Sequence, residues 1–167
     1  MIVVLSGVPG SGKTTVGESL ARRLAWPFTD GDSLHPAANI AKMRAGVPLT
    51  DEDRWPWLAA VAAVIDERIA AGQSAVVACS ALKRSYRDLL LAGRPAVRMV
   101  FLDVDRDLLA ARLAARHGHF FRADLLASQL ADLENPQPAE RILVLPAVGT
   151  PEQIAQQIIS RLQLASG

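Results

Sequence analysis

The sequence predicts an α/β fold in which a five-stranded parallel sheet lies between two layers of helices. Three observations lead there. Five short apolar runs alternate with helical patterns, as strands and crossover helices do in a parallel sheet. A glycine-rich stretch joins the first run to the first helix. Polar and charged residues collect just after the runs, where sheets of this kind bind ligands.

Taken in order, "IVVLSG" is the first strand, and a helix follows from Lys13 to about Ala25 with Val16, Leu20 and Leu24 at i, i+4 spacing. "PFTD" is a brief second strand. Helical character returns over Pro36–Ala45, ends near Gly46-Val47-Pro48, and resumes before Leu58 to run to about Ala71. "SAVVACS" is a third strand, and "ALKRSYRDLLLAG" a helix stopped by Gly93. "VRMVFLDV" is the fourth. Asp105 is placed to cap a helix through Arg116, with Leu108, Leu109 and Leu113 on its buried stripe. "HGHFFRAD" interrupts, and a helix spans about Leu125–Leu133. "NPQPAE" is a loop, and "RILVLPA" the fifth strand. Thr150-Pro151-Glu152-Gln153 opens the closing helix with a cap, a first-turn proline and a capping-box glutamine.

No repeat or linker divides the chain, so residues 1–167 are read as one domain with enough length to bury a sizeable core. Half the residues are hydrophobic, which excludes wholesale disorder. A net charge of +1 and a pI of about 8.0 give no electrostatic reason to expect nucleic acid or an anionic membrane. Anions must be held by local groups. Cys79 is the single cysteine, in the apolar run "AVVACSAL", and reads as a buried structural thiol in a reducing compartment. The apolar start "MIVVLSG" lacks a basic lead and is too short for a signal peptide or a spanning helix, so a cytoplasmic enzyme is expected. Lysine occurs only at positions 13, 42 and 83, and arginine serves everywhere else. A retained lysine then suggests a place that needs a compact ammonium.

"GVPGSGKT", Gly7 to Thr14, matches G-x-x-x-x-G-K-[ST] in full and lies between a strand and a helix, as a P-loop requires. Gly7, Val8, Pro9, Gly10, Ser11 and Gly12 would curl so that successive N–H groups face inward, with the helix N-terminus adding positive partial charge. Lys13 would reach the β- and γ-phosphates, Thr14 would join a magnesium shell, and Thr15 would add a phosphate contact. A P-loop NTPase fold binding ATP with Mg2+ is expected. Guanine-reading N-K-x-D is missing, and the chain is short for a motor ATPase. A small-molecule kinase remains.

"DGDSLHP", Asp30 to Pro36, follows the second strand and admits three readings: metal ligands, a substrate holder, or a polar turn. With no close-spaced zinc pattern around His35, His117 and His119, a zinc site carries little weight. Here the sequence resembles a known family. "GDSLHPAANIAKMRAGVPLTDEDRWPWL", "CSALKRSYRDLL" and "RHGHFFRADLLASQLADLENP" look like the signature blocks of the small P-loop gluconokinases. The resemblance runs from about Val3 to Pro136. Leu130 departs from it, standing where an aromatic is common.

The resemblance implies ATP-dependent phosphorylation of D-gluconate at its 6-hydroxyl, a five-stranded parallel sheet, a helical lid at about residues 112–133, and a homodimer. Gluconate is an anionic carboxylate with a chain of hydroxyls, so it calls for cations and for acceptors of hydroxyl protons. Asp32 is the candidate to orient the attacking hydroxyl and accept its proton, and Asp30 to act through water on magnesium. His35 is a candidate for a substrate hydroxyl, and Lys42, Arg54, Lys83 and Arg87 for the carboxylate and hydroxyls. Lys83 and Arg87 are i, i+4 and are expected on one helix face. Arg54 has an alternative partner in Asp51 or Asp53, and Trp55 and Trp57 read as packing or dimer contacts. Arg112 and Arg116, also i, i+4, precede the glycine-containing interruption and suit a hinged cap. By resemblance Arg112 would stack near the base and Arg116 neutralise the transferring phosphate. His119 and the phenylalanines would line the closed cavity, whereas His117 reads as part of a packed loop. The competing readings are a kinase for another polyol acid such as shikimate, a nucleoside monophosphate kinase, and an ATP-gated binding module without turnover.

Overall fold

A computed structural model of the chain describes residues 1–115 and 123–165. Five strands, β1 (Ile2–Ser6), β2 (Phe28–Asp30), β3 (Ala75–Ala78), β4 (Val97–Asp103) and β5 (Leu143–Pro146), form one sheet in the order β2-β3-β1-β4-β5. Every pairing is parallel. Seven helices are described: α1 (Lys13–Leu24), α2 (Ala37–Arg44), α3 (Asp51–Ala70), α4 (Arg84–Leu91), α5 (Arg106–Ala114), α6 (Ala123–Asp132) and α7 (Pro151–Leu162).

The central strand shows why the layers form. All five β1 residues are buried, and their alternation divides them between two cores. Ile2 and Val4 pack with Trp57, Leu58, Val61 and Ile65 of α3, and with Tyr86 and Leu90 of α4. Val3 and Leu5 pack on the other face with Val16, Leu20 and Leu24 of α1 and Ile154 and Ile158 of α7. Each such aliphatic side chain contributes about 1.5–3 kcal/mol on burial. A strand covered on both sides therefore reads as apolar, and its one polar residue, Ser6 at the end, is satisfied by donating its hydroxyl to the Val100 carbonyl at 3.3 Å.

Local signals set several boundaries. Thr50 Oγ1 accepts the Asp53 N–H at 3.2 Å while Asp53 Oδ2 accepts the Thr50 N–H at 2.9 Å, a capping box that starts α3 at Asp51. That start lies well ahead of the apolar pattern at Leu58, and Pro56 is accommodated within the helix. Asp105 Oδ1 takes the N–H of Asp107 at 2.8 Å and caps α5 as expected. The box of Thr150 and Gln153, with Pro151 at the first position, opens α7. The helix expected over "ALKRSYRDLLLAG" is shorter, since Ala81 has a φ of 41°, Lys83 is extended, and α4 begins at Arg84. The expected passage of α5 to Arg116 and the interruption after it fall outside the described residues.

β2 passes into a 3-10 turn at Gly31–Leu34, and Gly31 allows a close approach there. A Cβ on Gly31 would lie 2.4 Å from the Ala78 carbonyl oxygen at the end of β3. Gly31→Ala is expected to cost about 1–3 kcal/mol by overpacking, read as a lower urea midpoint. An unchanged midpoint would show that the turn slides freely.

Candidate active site

The C-terminal ends of β1, β2 and β3 bring three loops together. The loop after β1 curls because Gly7, Gly10 and Gly12 hold φ values of 140°, 82° and 94°, which other residues rarely adopt. Gly12 caps α1, so the helix N-terminus opens into the loop. Lys13 folds back over it, its Nζ donating to the carbonyls of Gly7 at 2.9 Å and Val8 at 3.0 Å. Thr14 Oγ1 donates to Asp30 Oδ2 at 3.0 Å, which joins this loop to the end of β2. Ser11 Oγ is buried and has no partner among the described residues, an orphan hydroxyl in the wall of a cradle shaped for oxygen-rich ligands.

Beside the loop lies a cleft of about 310 Å³ lined by Gly12, Thr15, Val16, Arg112, Pro151 and Ile154. Arg112 forms part of its wall, donating to the Ala147 carbonyl at 2.7 Å and the Ser11 carbonyl at 3.3 Å. Thr15 is at its mouth, with Oγ1 donating to the Gly12 carbonyl at 3.2 Å.

The acidic turn occupies the other side. Asp30 Oδ1 accepts the Asp32 N–H at 3.0 Å and fixes the turn. Asp32 is exposed, and desolvation by the protein around it raises its carboxyl above the usual range. The Lys13 ammonium opposes that shift and the Asp30 carboxylate adds to it, so the three groups share one field. Cys79 lies under them, its thiol pushed up to about 12 by burial, reinforced by Asp32. It stays protonated and is structural, as its sequence context suggests.

Behind the turn, Trp57 Nε1 donates to the Gly31 carbonyl at 2.7 Å, and the His35 ring stacks on Trp57 with centroids 4.2 Å apart. Asn39 Nδ2 donates to the Asp53 carbonyl at 2.9 Å and lies 3.2 Å from His35 Nδ1. That amide nitrogen is a donor, so Nδ1 accepts and the imidazole proton resides on Nε2. Burial lowers the His35 pKa to about 4, with Arg54 adding to the shift, so the ring is neutral near pH 7.

The cations are less free than sequence spacing suggests. Lys42 Nζ contacts both Asp53 oxygens at 2.8 Å, and this bond, with the Thr50 N–H, holds Asp53 at about 2. Arg54 is buried, and its Nη1 donates to Asp132 at 2.7 Å and to the Tyr86 hydroxyl at 3.1 Å. Its partner is thus Asp132, not Asp51 or Asp53. Lys83 Nζ donates to Asp51 at 2.9 Å and lies 3.7 Å from Asp132. Tyr86 also donates to Asp51. Asp132 and Tyr86 were not singled out from sequence, which carries no local sign of partners so distant along the chain.

Arg87 requires a correction. It was expected beside Lys83 as a substrate holder, but Lys83 precedes α4 with extended φ and ψ of −89° and 150°, and Arg87 turns into the core. Its guanidinium is 0% exposed, with Nε and Nη2 on Glu140 at 2.7 and 3.0 Å. Nη1 donates to the carbonyls of Leu82 at 2.8 Å and Glu134 at 2.9 Å. Arg87 fastens the loops that carry the site. Trp57 is a packing residue as expected, while Trp55 stays partly exposed against Tyr86. Arg116, His117 and His119 lie outside the described residues.

Residues 2–136 match the family described as AAA domain. Gluconokinase of Gluconobacter oxydans (strain 621H) is 46% identical over 161 residues, which cover 96% of this chain and 90% of that one. The crystal structure of a gluconokinase from Sinorhizobium meliloti 1021 superposes with a TM-score of 0.84 at 44% identity, covering 96% of this chain and 90% of that one. Shikimate kinase from Aquifex aeolicus, at 17% identity, a TM-score of 0.58 and coverage of 98% and 96%, shares the fold alone. By its phosphate loop, its sheet order and these relatives together, the chain belongs to the gluconokinase family of P-loop kinases, which use a nucleotide as phosphoryl donor.

Proposed function

We propose that the chain transfers the γ-phosphoryl group of ATP to the 6-hydroxyl of D-gluconate, giving 6-phospho-D-gluconate and ADP. The observation that supports this most is the shared field of Lys13 and Asp32, backed by the cations Lys42, Arg54 and Lys83 at the adjoining end of α3. A polyphosphate grip, a proton acceptor and a set of carboxylate holders are what phosphorylation of a sugar acid requires.

In this reading the N–H groups of the loop at residues 7–12, Pro9 having none, and the Lys13 ammonium hold the phosphates. Asp32 orients the hydroxyl and takes its proton as the oxygen–phosphorus bond forms and the bond to the ADP oxygen breaks. A strong base is unnecessary, because the transition state is loose and depends on position and charge. Thr14 and Asp30 offer hard oxygen donors that suit Mg2+, Asp30 acting through water, and the ion when bound neutralises phosphate charge. Neutral His35 offers its Nε2–H to a substrate hydroxyl, and Lys42, Arg54 and Lys83 serve the carboxylate. Arg112 flanks the base, and Arg116 and His119 belong to a lid at about 112–133 that excludes water. A homodimer and a cytoplasmic location are part of the same proposal, supported by likeness to the family; no described helix is long and apolar enough to cross a membrane.

A coupled ADP-release assay over gluconate, other aldonates, shikimate and nucleoside monophosphates tests the proposal. Release that depends on gluconate above all others is expected. A preference for shikimate would overturn it, and release with no acceptor dependence would point to an ATP-gated module.

A further inference from the structure

The cations assigned to the substrate carboxylate are already occupied by the chain's own carboxylates. Arg54 Nη1 is 2.7 Å from Asp132 and Lys83 Nζ is 2.9 Å from Asp51, with Asp132 bridging toward Lys83 at 3.7 Å. Two cations face two anions, so an incoming carboxylate has to displace one of them. We propose that Asp132 is a placeholder for the substrate carboxylate, held on Arg54 and Lys83 in the free enzyme and displaced when the sugar acid binds. The inference rests on the sugar-acid reading and deepens it by naming the residue that competes with substrate.

Asp132, not Asp51, is the one that gives way. Asp51 occupies the first turn of α3, where the helix dipole favours a negative charge. It also receives hydrogen bonds from both Lys83 and Tyr86, which lower its pKa. Asp132 is the last residue of α6, where the dipole disfavours a carboxylate. It has one short cation contact, and its side chain is 27% exposed. The chain beyond it is pinned, with the Glu134 N–H on the Leu82 carbonyl at 3.0 Å and Glu134 Oε2 accepting the Arg84 N–H at 2.7 Å. Asp132 is thus tethered beside the loop that carries Lys83. Its side chain reaches Arg54 at rest and can swing toward solvent without moving that anchor. Arg54, nearly enclosed, is never left without an anion in this exchange.

The test compares Asp132→Asn, Asp132→Ala and Asp132→Glu with the parent in steady-state kinetics and in calorimetric titration of gluconate into nucleotide-free enzyme. The Asn and Ala variants are expected to lower KM and Kd for gluconate by about three- to ten-fold, the scale of one partly exposed ion pair, with KM for ATP unmoved. Glu restores the competing charge and returns both values toward the parent's. Unchanged or raised gluconate KM in the Asn and Ala variants would make Asp132 a buttress for Arg54 and overturn the proposal. Failure of both to fold, read by thermal melting, would make it an anchor of α6 and overturn it equally. A parent that phosphorylates a different sugar acid sinks the gluconate reading alone, because the same shift is then sought with that acid.

Discussion

Asp32→Asn is expected to lower kcat by about 10²- to 10⁴-fold, the range of a lost positioned base, while ATP binding stays near the parent's. The expectation follows from placement. Asp32 lies in the field of Lys13, and Asp30 Oδ1 fixes its backbone by accepting the N–H at 3.0 Å. Asparagine keeps that backbone bond and the side-chain volume but cannot take a proton. Desolvation raises the Asp32 carboxyl, so the base form is lost on acidification at a pH above that of an ordinary aspartate. The acid limb of the parent's kcat profile should therefore be displaced upward, and the Asn variant should lose that limb. Equal losses in kcat and ATP affinity would reduce the acidic turn to a structural element. An undiminished kcat would remove Asp32 from the acceptor side.

The parts of this account legible in the sequence are those governed by local physics. β1 and β3, buried throughout, read as continuous apolar runs, while the edge strands β2 and β5, only partly buried, were placed from shorter runs between helices. The phosphate loop is legible because a glycine backbone, an ammonium and a hydroxyl must follow one another within eight residues. Caps at Asp105 and Thr150 act over three residues and were equally plain. Charge pairing was not legible. Arg54 meets a carboxylate 78 positions away and Arg87 one 53 positions away, and no spacing rule reaches that far. The i, i+4 argument for Lys83 and Arg87 failed for a sharper reason. It assumed a helix at residue 83, whereas the extended backbone there rotates the lysine toward α3 and leaves the arginine to face inward. A charged residue in "YRDLLL" looks like a solvated face until its distant partner is known.

Arg87→Met should then cost about 3–5 kcal/mol of stability, as breaking a buried ion pair from one side does. The loss comes less from the missing attraction than from what is stranded. The Glu140 side chain, 2% exposed, would keep its charge without a counterion, and the carbonyls of Leu82 and Glu134 would lose their donor. Removing both charges, as Arg87→Met with Glu140→Leu, should recover part of the loss, because nothing charged is then left inside. Acid should act in the same direction as the single variant. Arg87, with the Gln137 N–H, holds Glu140 below the usual glutamate range. Its contribution is therefore complete above the pKa of an unfolded glutamate and disappears as pH falls through the lower folded value. Urea midpoints across that interval should fall for the parent and stay flatter for the double variant. A single variant that folds as stably as the parent, but binds gluconate more weakly, would return Arg87 to the substrate site and remove it as the fastening of the Lys83 loop.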